Sequence, residues 1–212
     1  MTQIDSAFLI RFFRLASEQL EADRSYLCKL DGAIGDGDHG TSMALGFAAV
    51  VERLRRPLMP EPPTPDAILT EAAKAFLSEV GATVGPLYAS AFLSGAKCLA
   101  AGPLETRQIG TLIRAFADGI RTRGKAETGD KTMLDVWYPA ALAAENACGD
   151  GAALADILTA ITEAATAGRD STGPMIASRG RAARLNERSI GHIDPGAASA
   201  ALILSVLPEV IL

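Results

Sequence analysis

Three carboxylates, Asp31, Asp36 and Asp38, fall within eight residues of the string DGAIGDGDHGTSM, which covers 31–43. Two carboxylates about 4 Å apart repel by roughly 1 kcal/mol in water, and by several times that when partly buried. Three together are tolerated when solvated, protonated or neutralised by a cation. Gly35, Gly37 and Gly40 give the chain the freedom to wrap oxygen ligands around a hard ion. A calcium loop of the EF-hand type needs a glutamate at its twelfth position. Counted from Asp31 that position is Ser42, and counted from Asp36 it is Phe47, so the pattern fails. Magnesium takes few protein carboxylates and completes its octahedron with water and phosphate oxygens. Three aspartates with no other acid beside them suit one or two such ions held against a nucleotide's phosphates.

The residues that follow extend the reading. Gly40-Thr41-Ser42 starts a helix, whose free N–H groups and dipole favour phosphate. His39 beside the cluster reads as a contact to phosphate or ribose. The plain alternative is a solvated acidic turn that caps the helix. Gly81-Ala82-Thr83-Val84-Gly85-Pro86 is a second small-residue turn entering a helix, either a phosphate cradle or a bland connection. Gly129-Asp130-Lys131-Thr132-Met133-Leu134-Asp135 is compatible with a charged helix start in which Asp130 is the N-cap. Ser178-Arg179-Gly180-Arg181 offers guanidinium groups for phosphate, or is an exposed basic turn. Gly191-His192-Ile193-Asp194-Pro195-Gly196 is a rigid turn ahead of the last helix.

Helices must position these loops. Ile4, Phe8, Phe12, Leu15 and Leu20 approximate one helical stripe. Further helices are predicted from just after His39 to about Arg55, from Thr64-Pro65 to about Glu79, and from Leu87 to Ala100. Others run from about Thr106 to Arg123, from Lys131 to Cys148, onward from near Ala152, and from about Ala197 to Leu207. Pro57, Pro60, Pro62, Pro63 and Pro65 make a stiff connector. No segment alternates with the period of a strand. The expectation is an all-α, antiparallel bundle or barrel of about eight helices, a single domain over 1–212, with several loops meeting at one rim.

Composition agrees with close helix packing. Of the 212 residues, 49% are apolar but only 5% aromatic, and alanine lets helix backbones approach. A net charge of -5 argues against non-specific nucleic-acid binding. Cys28, Cys98 and Cys148 show no pairing or ligand spacing, as expected of reduced thiols in a cytoplasmic protein. The start carries Asp5 and no basic segment, unlike a signal peptide, and the longest apolar run, Ala197–Leu207, is too short to span a bilayer.

Taken together, DGAIGDGDHGTSM, GDKTMLD and GRAARLNERSIGHIDPGA resemble the family of nucleotide-binding L subunits of bacterial dihydroxyacetone (glycerone) kinases, in order and over essentially the full chain. The resemblance implies an antiparallel eight-helix barrel with the nucleotide at one rim, which agrees with the separate helix count. It implies that Asp31, Asp36 and Asp38 hold two Mg2+ ions and, through them, the diphosphate of ADP or ATP. His39, Gly40, Thr41 and Ser42 would line the phosphates, and Gly81, Ala82 and Thr83 would belong to a backbone cradle. Gly124, Met133, Asp194, Pro195 and Gly196 would frame the adenosine, and Arg181 would reach the phosphate end and act in catalysis with the aspartates. Two positions depart from the family pattern: Val84 replaces a serine and Thr41 a frequent asparagine. In that family the ketose is held by a separate K subunit, so the chain would be one half of a kinase for dihydroxyacetone or a related ketose such as erythrulose. The donor would be exchanging ATP or, the favoured arrangement, a phosphotransferase-system M subunit that recharges bound ADP. A second copy of the chain is a further expected partner; nucleic acid and membrane are not. The alternative role is a regulatory module that docks on a transcription factor.

Overall fold

The structure, a computed structural model, describes residues 2–57, 61–81 and 83–211. Helix α1 (Ser6–Ala22) starts where the Asp5 carboxylate accepts the Phe8 N–H at 2.8 Å. Its apolar stripe buries Phe8, Phe12, Phe13 and Leu20. Helix α2 (Arg24–Ile34) follows after one residue, then α3 (His39–Leu54). Helix α4 (Pro65–Glu79) has its proline in the first turn, where the missing N–H costs nothing. Helix α5 (Val84–Cys98) is followed by a 3-10 turn at Thr106–Gln108 and α6 (Ile109–Gly124), which ends on left-handed Lys125. Helices α7 (Leu134–Gly149), α8 (Leu154–Ser171), α9 (Pro195–Ser205) and α10 (Leu207–Ile211) complete the set, with a 3-10 segment at Ala182–Ser189 before α9.

The helices close a ring. Helix α3 packs on α4, α4 on α5, and so on in chain order to α9, while α1 lies between α3 and α9 and shuts the circle. Eight helices therefore form the wall, as the sequence predicts. The two remaining α-helices among the described residues are α2, on the α3 and α9 side, and short α10. The sequence reading has no helix at 24–34; the structure places one there and puts Asp31 in its last turn. The reason is that Leu27, Asp31 and Ile34 share a buried helical face, a stripe too short to stand out in the sequence. A second correction is a two-residue antiparallel pair, β1 (Gln3–Ile4) with β2 (Leu104–Glu105), too brief for any period to show. Of the proline connector, 58–60 lie outside the described residues; beyond them, the Pro63 carbonyl accepts from Ser6 Oγ at 2.6 Å.

The scarce aromatics concentrate at the centre of the ring. Phe47 of α3 meets Phe13, Phe76, Tyr88 and Phe92 with ring centroids 5.6–6.1 Å apart. Trp137 continues the stack against Tyr88 and Phe116. All of these but the tilted Phe13–Phe47 pair are edge-on, and edge-on pairs contribute about 0.5–1.5 kcal/mol each beyond area burial. Small residues do the rest. Gly119 lets α6 lie directly on the Ser90–Ala91 backbone of α5, and Gly168 lets α8 lie on the Asp135–Val136 backbone of α7. With its interior filled, the ring offers its rim for binding.

Candidate functional site: an acid-lined cleft at the rim

The three aspartates converge at one end of the ring. Oxygen atoms, one from each of Asp31, Asp36 and Asp38, all lie within 4.8 Å of one another. Asp31 is 9% exposed, and the other two are exposed. One Asp31 oxygen accepts the backbone N–H groups of Asp38 at 2.9 Å and His39 at 3.1 Å, which caps the start of α3 from outside. The turn that brings Asp36 back over Asp31 needs glycine. A Cβ at Gly35 would strike the Asp31 carboxylate, and Gly37 has φ of 80°. Arg181 forms an ion pair with Asp36.

A cleft of about 490 Å3 opens beside this cluster. Its acidic edge is Asp31, Asp36, Asp38, His39 and Ser42. The opposite wall is apolar and comes from Val84, Pro86 and Leu87 of α5, Ile120 of α6, and Ala126, Met133 and Leu134. The remaining sides are Thr83, Arg123 and Gly124, Lys131 and Thr132, Arg179 to Ala182, and Asp194 to Gly196. An acidic end able to hold hard cations, joined to an apolar slot, suits an amphiphilic ligand with a flat body whose polyanionic head binds through those cations.

Two polar connections shape the cleft. Asp130 accepts from Ser178 Oγ at 2.6 Å, Glu127 N at 2.9 Å and Arg179 Nε at 3.1 Å, bonds that hold its pKa below the usual carboxylate range, the Ser178 bond first. The 178–181 segment thus spans from Asp130 on one side to Asp36 on the other. His39 Nε2 lies 2.9 Å from Ser199 Oγ in α9, and Ser199 Oγ donates to Gly196 O at 3.0 Å. Burial lowers the His39 pKa to about 4, against smaller upward pushes from Asp31 and the Pro195 carbonyl. The imidazole is therefore neutral at pH 7 and pins the start of α3 to α9. On the far side, burial raises the Asp194 carboxyl to about 7, with Lys131 pulling it back and Asp135 and Asp31 adding to the rise. Asp194 accepts the Ala197 N–H at 2.8 Å as the N-cap of α9.

Of the residues singled out in the sequence, Asp31, Asp36, Asp38, His39, Ser42, Thr83, Gly124, Met133, Arg181, Asp194, Pro195 and Gly196 all line this one cleft. Three others are placed away from its lining. Gly40 faces α2, where a Cβ would meet Arg24 and Cys28; Thr41 Oγ1 lies 3.6 Å from Cys28 Sγ; and Gly81 has open space around it. The reason for the first two is helical phase: Ser42, three positions after His39, returns to the cleft face, while Gly40 and Thr41 turn toward α2. Ala82 lies outside the described residues. The N-cap of α7 is Met133 and not Asp130, because Asp135 takes the Thr132 and Gly129 N–H groups at 2.7 and 2.5 Å. The sequence reading missed Arg123, Lys131 and, apart from Met133, the apolar wall. Lys131 and Leu134 had a signal, lying inside the quoted string at 129–135, as did Val84 and Pro86 in the quoted turn at 81–86.

These features define a class, helical rings that carry an acidic rim cleft. More narrowly, the chain belongs to the DAK2 domain family, whose pattern matches residues 33–209. The ADP-binding subunit DhaL of PEP-dependent dihydroxyacetone kinase 2 from Listeria innocua is 38% identical over 210 residues, 97% of this chain and 95% of the relative. The ADP-binding subunit DhaL of the PEP-dependent dihydroxyacetone kinase of Escherichia coli is 36% identical over 204 residues, 94% of each. Among solved structures, the dihydroxyacetone kinase from C. freundii in complex with AMP-PNP and Mg2+ superimposes with a TM-score of 0.72 at 23% identity. The match covers 96% of this chain and 34% of that kinase, so the chain spans about a third of its length and shares the ring fold.

Proposed function

We propose that this chain is the nucleotide-carrying subunit of a dihydroxyacetone kinase, a phosphotransferase that works with a separate ketose-binding subunit. The observation that carries the reading is the set of three carboxylates within 4.8 Å at the mouth of a cleft of about 490 Å3. Their chemistry fits hard divalent cations. All ligands are carboxylate oxygens, two of the residues are open to the cleft, and one Asp31 oxygen remains beyond the one that caps α3. Asp31, Asp36 and Asp38 would hold Mg2+. Bound there, it would supply charge neutralisation at the phosphate oxygens and the leaving diphosphate.

The protein's own part is positional. Val84, Leu87, Ile120 and Met133 clasp the base, and Asp194 to Gly196 close the nucleoside side. Ser42 and Thr83 offer hydroxyls to the phosphates. Arg181, paired with Asp36 across the mouth, exchanges that partner for the terminal phosphoryl group, where a guanidinium offers two parallel donors. Neutral His39 adds no charge and keeps α3 and α9 in register. The relatives' dependence on PEP favours a phosphotransferase-system subunit as the donor that recharges bound ADP. The ketose subunit meets the chain at the same rim, and a cytoplasmic location fits both partners. Among the described residues no helix is long and apolar enough to cross a membrane.

Native mass spectrometry of the purified protein tests the reading. Adenine nucleotide with magnesium should be retained or bound on addition, and EDTA should release it. A chain that takes up no ADP in magnesium overturns the proposal.

A further inference from the structure

Lys131 is 2% exposed, yet among the described residues its ammonium has no carboxylate within ion-pair distance. It points instead into a cage of carbonyl oxygens. Nζ lies 2.5 Å from His192 O, 2.6 Å from Thr172 O, 3.2 Å from Met175 O and 3.4 Å from Gly173 O. The backbone at Lys131 is left-handed, with φ of 59°, so the chain accepts an unfavourable conformation to aim this side chain inward. Converging carbonyl dipoles repel one another, and Thr172 and Gly173 sit at the negative end of α8. A cation stabilises such a cage by offsetting that repulsion. The site is built as a carbonyl-lined monovalent-cation site is built, with oxygens replacing the hydration shell. The lysine arm fills it from inside the fold.

The cage joins three segments. These are the loop before α7, the 172–175 turn after α8, and the 191–194 turn before α9. Two neutral bonds accompany it: Asp194 N donates to Thr172 Oγ1 at 3.0 Å, and Gly191 N donates to Gly173 O at 2.9 Å. Lys131 to Met133 of the first segment, and Asp194 to Gly196 at and just past the end of the third, line the cleft. The 172–175 turn is not part of this cleft's lining and serves as the hub.

We propose that Lys131 is a positioning residue whose ammonium is a built-in substitute for a monovalent cation, and that it holds the two nucleoside walls of the cleft in register. Removing the arm leaves a cage that potassium or a small alkylammonium can refill. The claim rests on the nucleotide reading of the cleft and deepens it.

Calorimetric titration of Mg·ADP is the test, in buffer whose bulk monovalent cation is tetramethylammonium, which is too large for the cage. Wild type binds alike with or without added potassium. Lys131→Ala binds roughly 10–100-fold more weakly, the usual loss when a supporting partner behind a binding group is removed. Potassium or methylammonium restores most of that loss. Lys131→Met keeps a stem that fills the space, stays weak, and does not respond to either ion. A Lys131→Ala protein that binds as wild type in tetramethylammonium overturns the proposal, and so does a deficit that neither ion repairs. Should that variant be too unstable to titrate, its melting temperature replaces affinity. It must then climb with potassium and methylammonium but not with tetramethylammonium. If wild type itself binds no Mg·ADP, the nucleotide reading fails, and the same melting series still decides whether the cage is a cation site.

Discussion

At the scale of single residues the three aspartates are not equivalent. Asp31 has a structural duty, because its carboxylate caps α3. Asp31→Ala should lower metal-free stability by about 0.5–2 kcal/mol, the range for lost caps. The Asp38 side chain makes no capping bond, so Asp38→Asn relieves repulsion without removing support. The metal-free Asp38→Asn protein should melt slightly higher than wild type yet lose its response to Mg·ADP. Scanning calorimetry with and without ligand separates these outcomes. pH dependence also begins here. Between about 4 and its ordinary 6.5, His39 binds a proton in the unfolded chain and not in the fold, so its contribution to stability rises with pH across that window. Asp194, raised from 3.8 to about 7, does the opposite: the fold keeps a proton that the unfolded chain releases, so stability falls as pH rises through that range. The two slopes oppose each other between about 4 and 6.5. In His39→Asn only the falling slope remains. The wild-type advantage over that variant should therefore widen toward pH 6.5 in metal-free thermal melts followed by circular dichroism. The carboxylates were legible in the sequence because like charges at close spacing need a cause. The neutral state of His39 was not, since its partner Ser199 is 160 residues away.

At the scale of elements the sequence was readable wherever a helix shows a long apolar stripe or a proline start, as α1 and α4 do. It was opaque at α2, whose buried face is three residues, and at the starts of α5 and α7. At α7 local side-chain bonds set the boundary: Asp135 claims the loop N–H groups just ahead of the helix. Helix spacing gives a direct prediction. At Gly119 a Cβ would sit 2.7 Å from the Ser90 carbonyl carbon and 2.8 Å from the Ala91 Cα, both backbone atoms that cannot rotate aside. Gly119→Ala should therefore destabilise the protein by about 1–3 kcal/mol despite alanine's better helix propensity. Urea denaturation measures it. A stability equal to wild type would mean that α5 and α6 are free to slide apart.

At the scale of the whole molecule the cleft is a junction. It takes residues from the end of α2, the starts of α3, α5, α7 and α9, the end of α6 and the loops between them. A ligand seated there bridges elements far apart in sequence and should stabilise the folded ring as a unit. At a hundredfold excess over its Kd, Mg·ADP adds about 2.7 kcal/mol. For a chain of this size that corresponds to roughly 5–10 °C in Tm. Differential scanning fluorimetry should show the shift with magnesium and its loss with EDTA.

The seam where α1 meets α9 sets a timetable for biosynthesis. Every other pair of neighbours in the wall is close along the chain and can dock as soon as both members leave the ribosome. The seam cannot zip until the final helices emerge, and the same helices deliver Asp194 and Ser199. A nascent chain stalled before residue 194 would be an open, curved sheet of helices with its aromatic filling exposed along one edge, a natural client for chaperones.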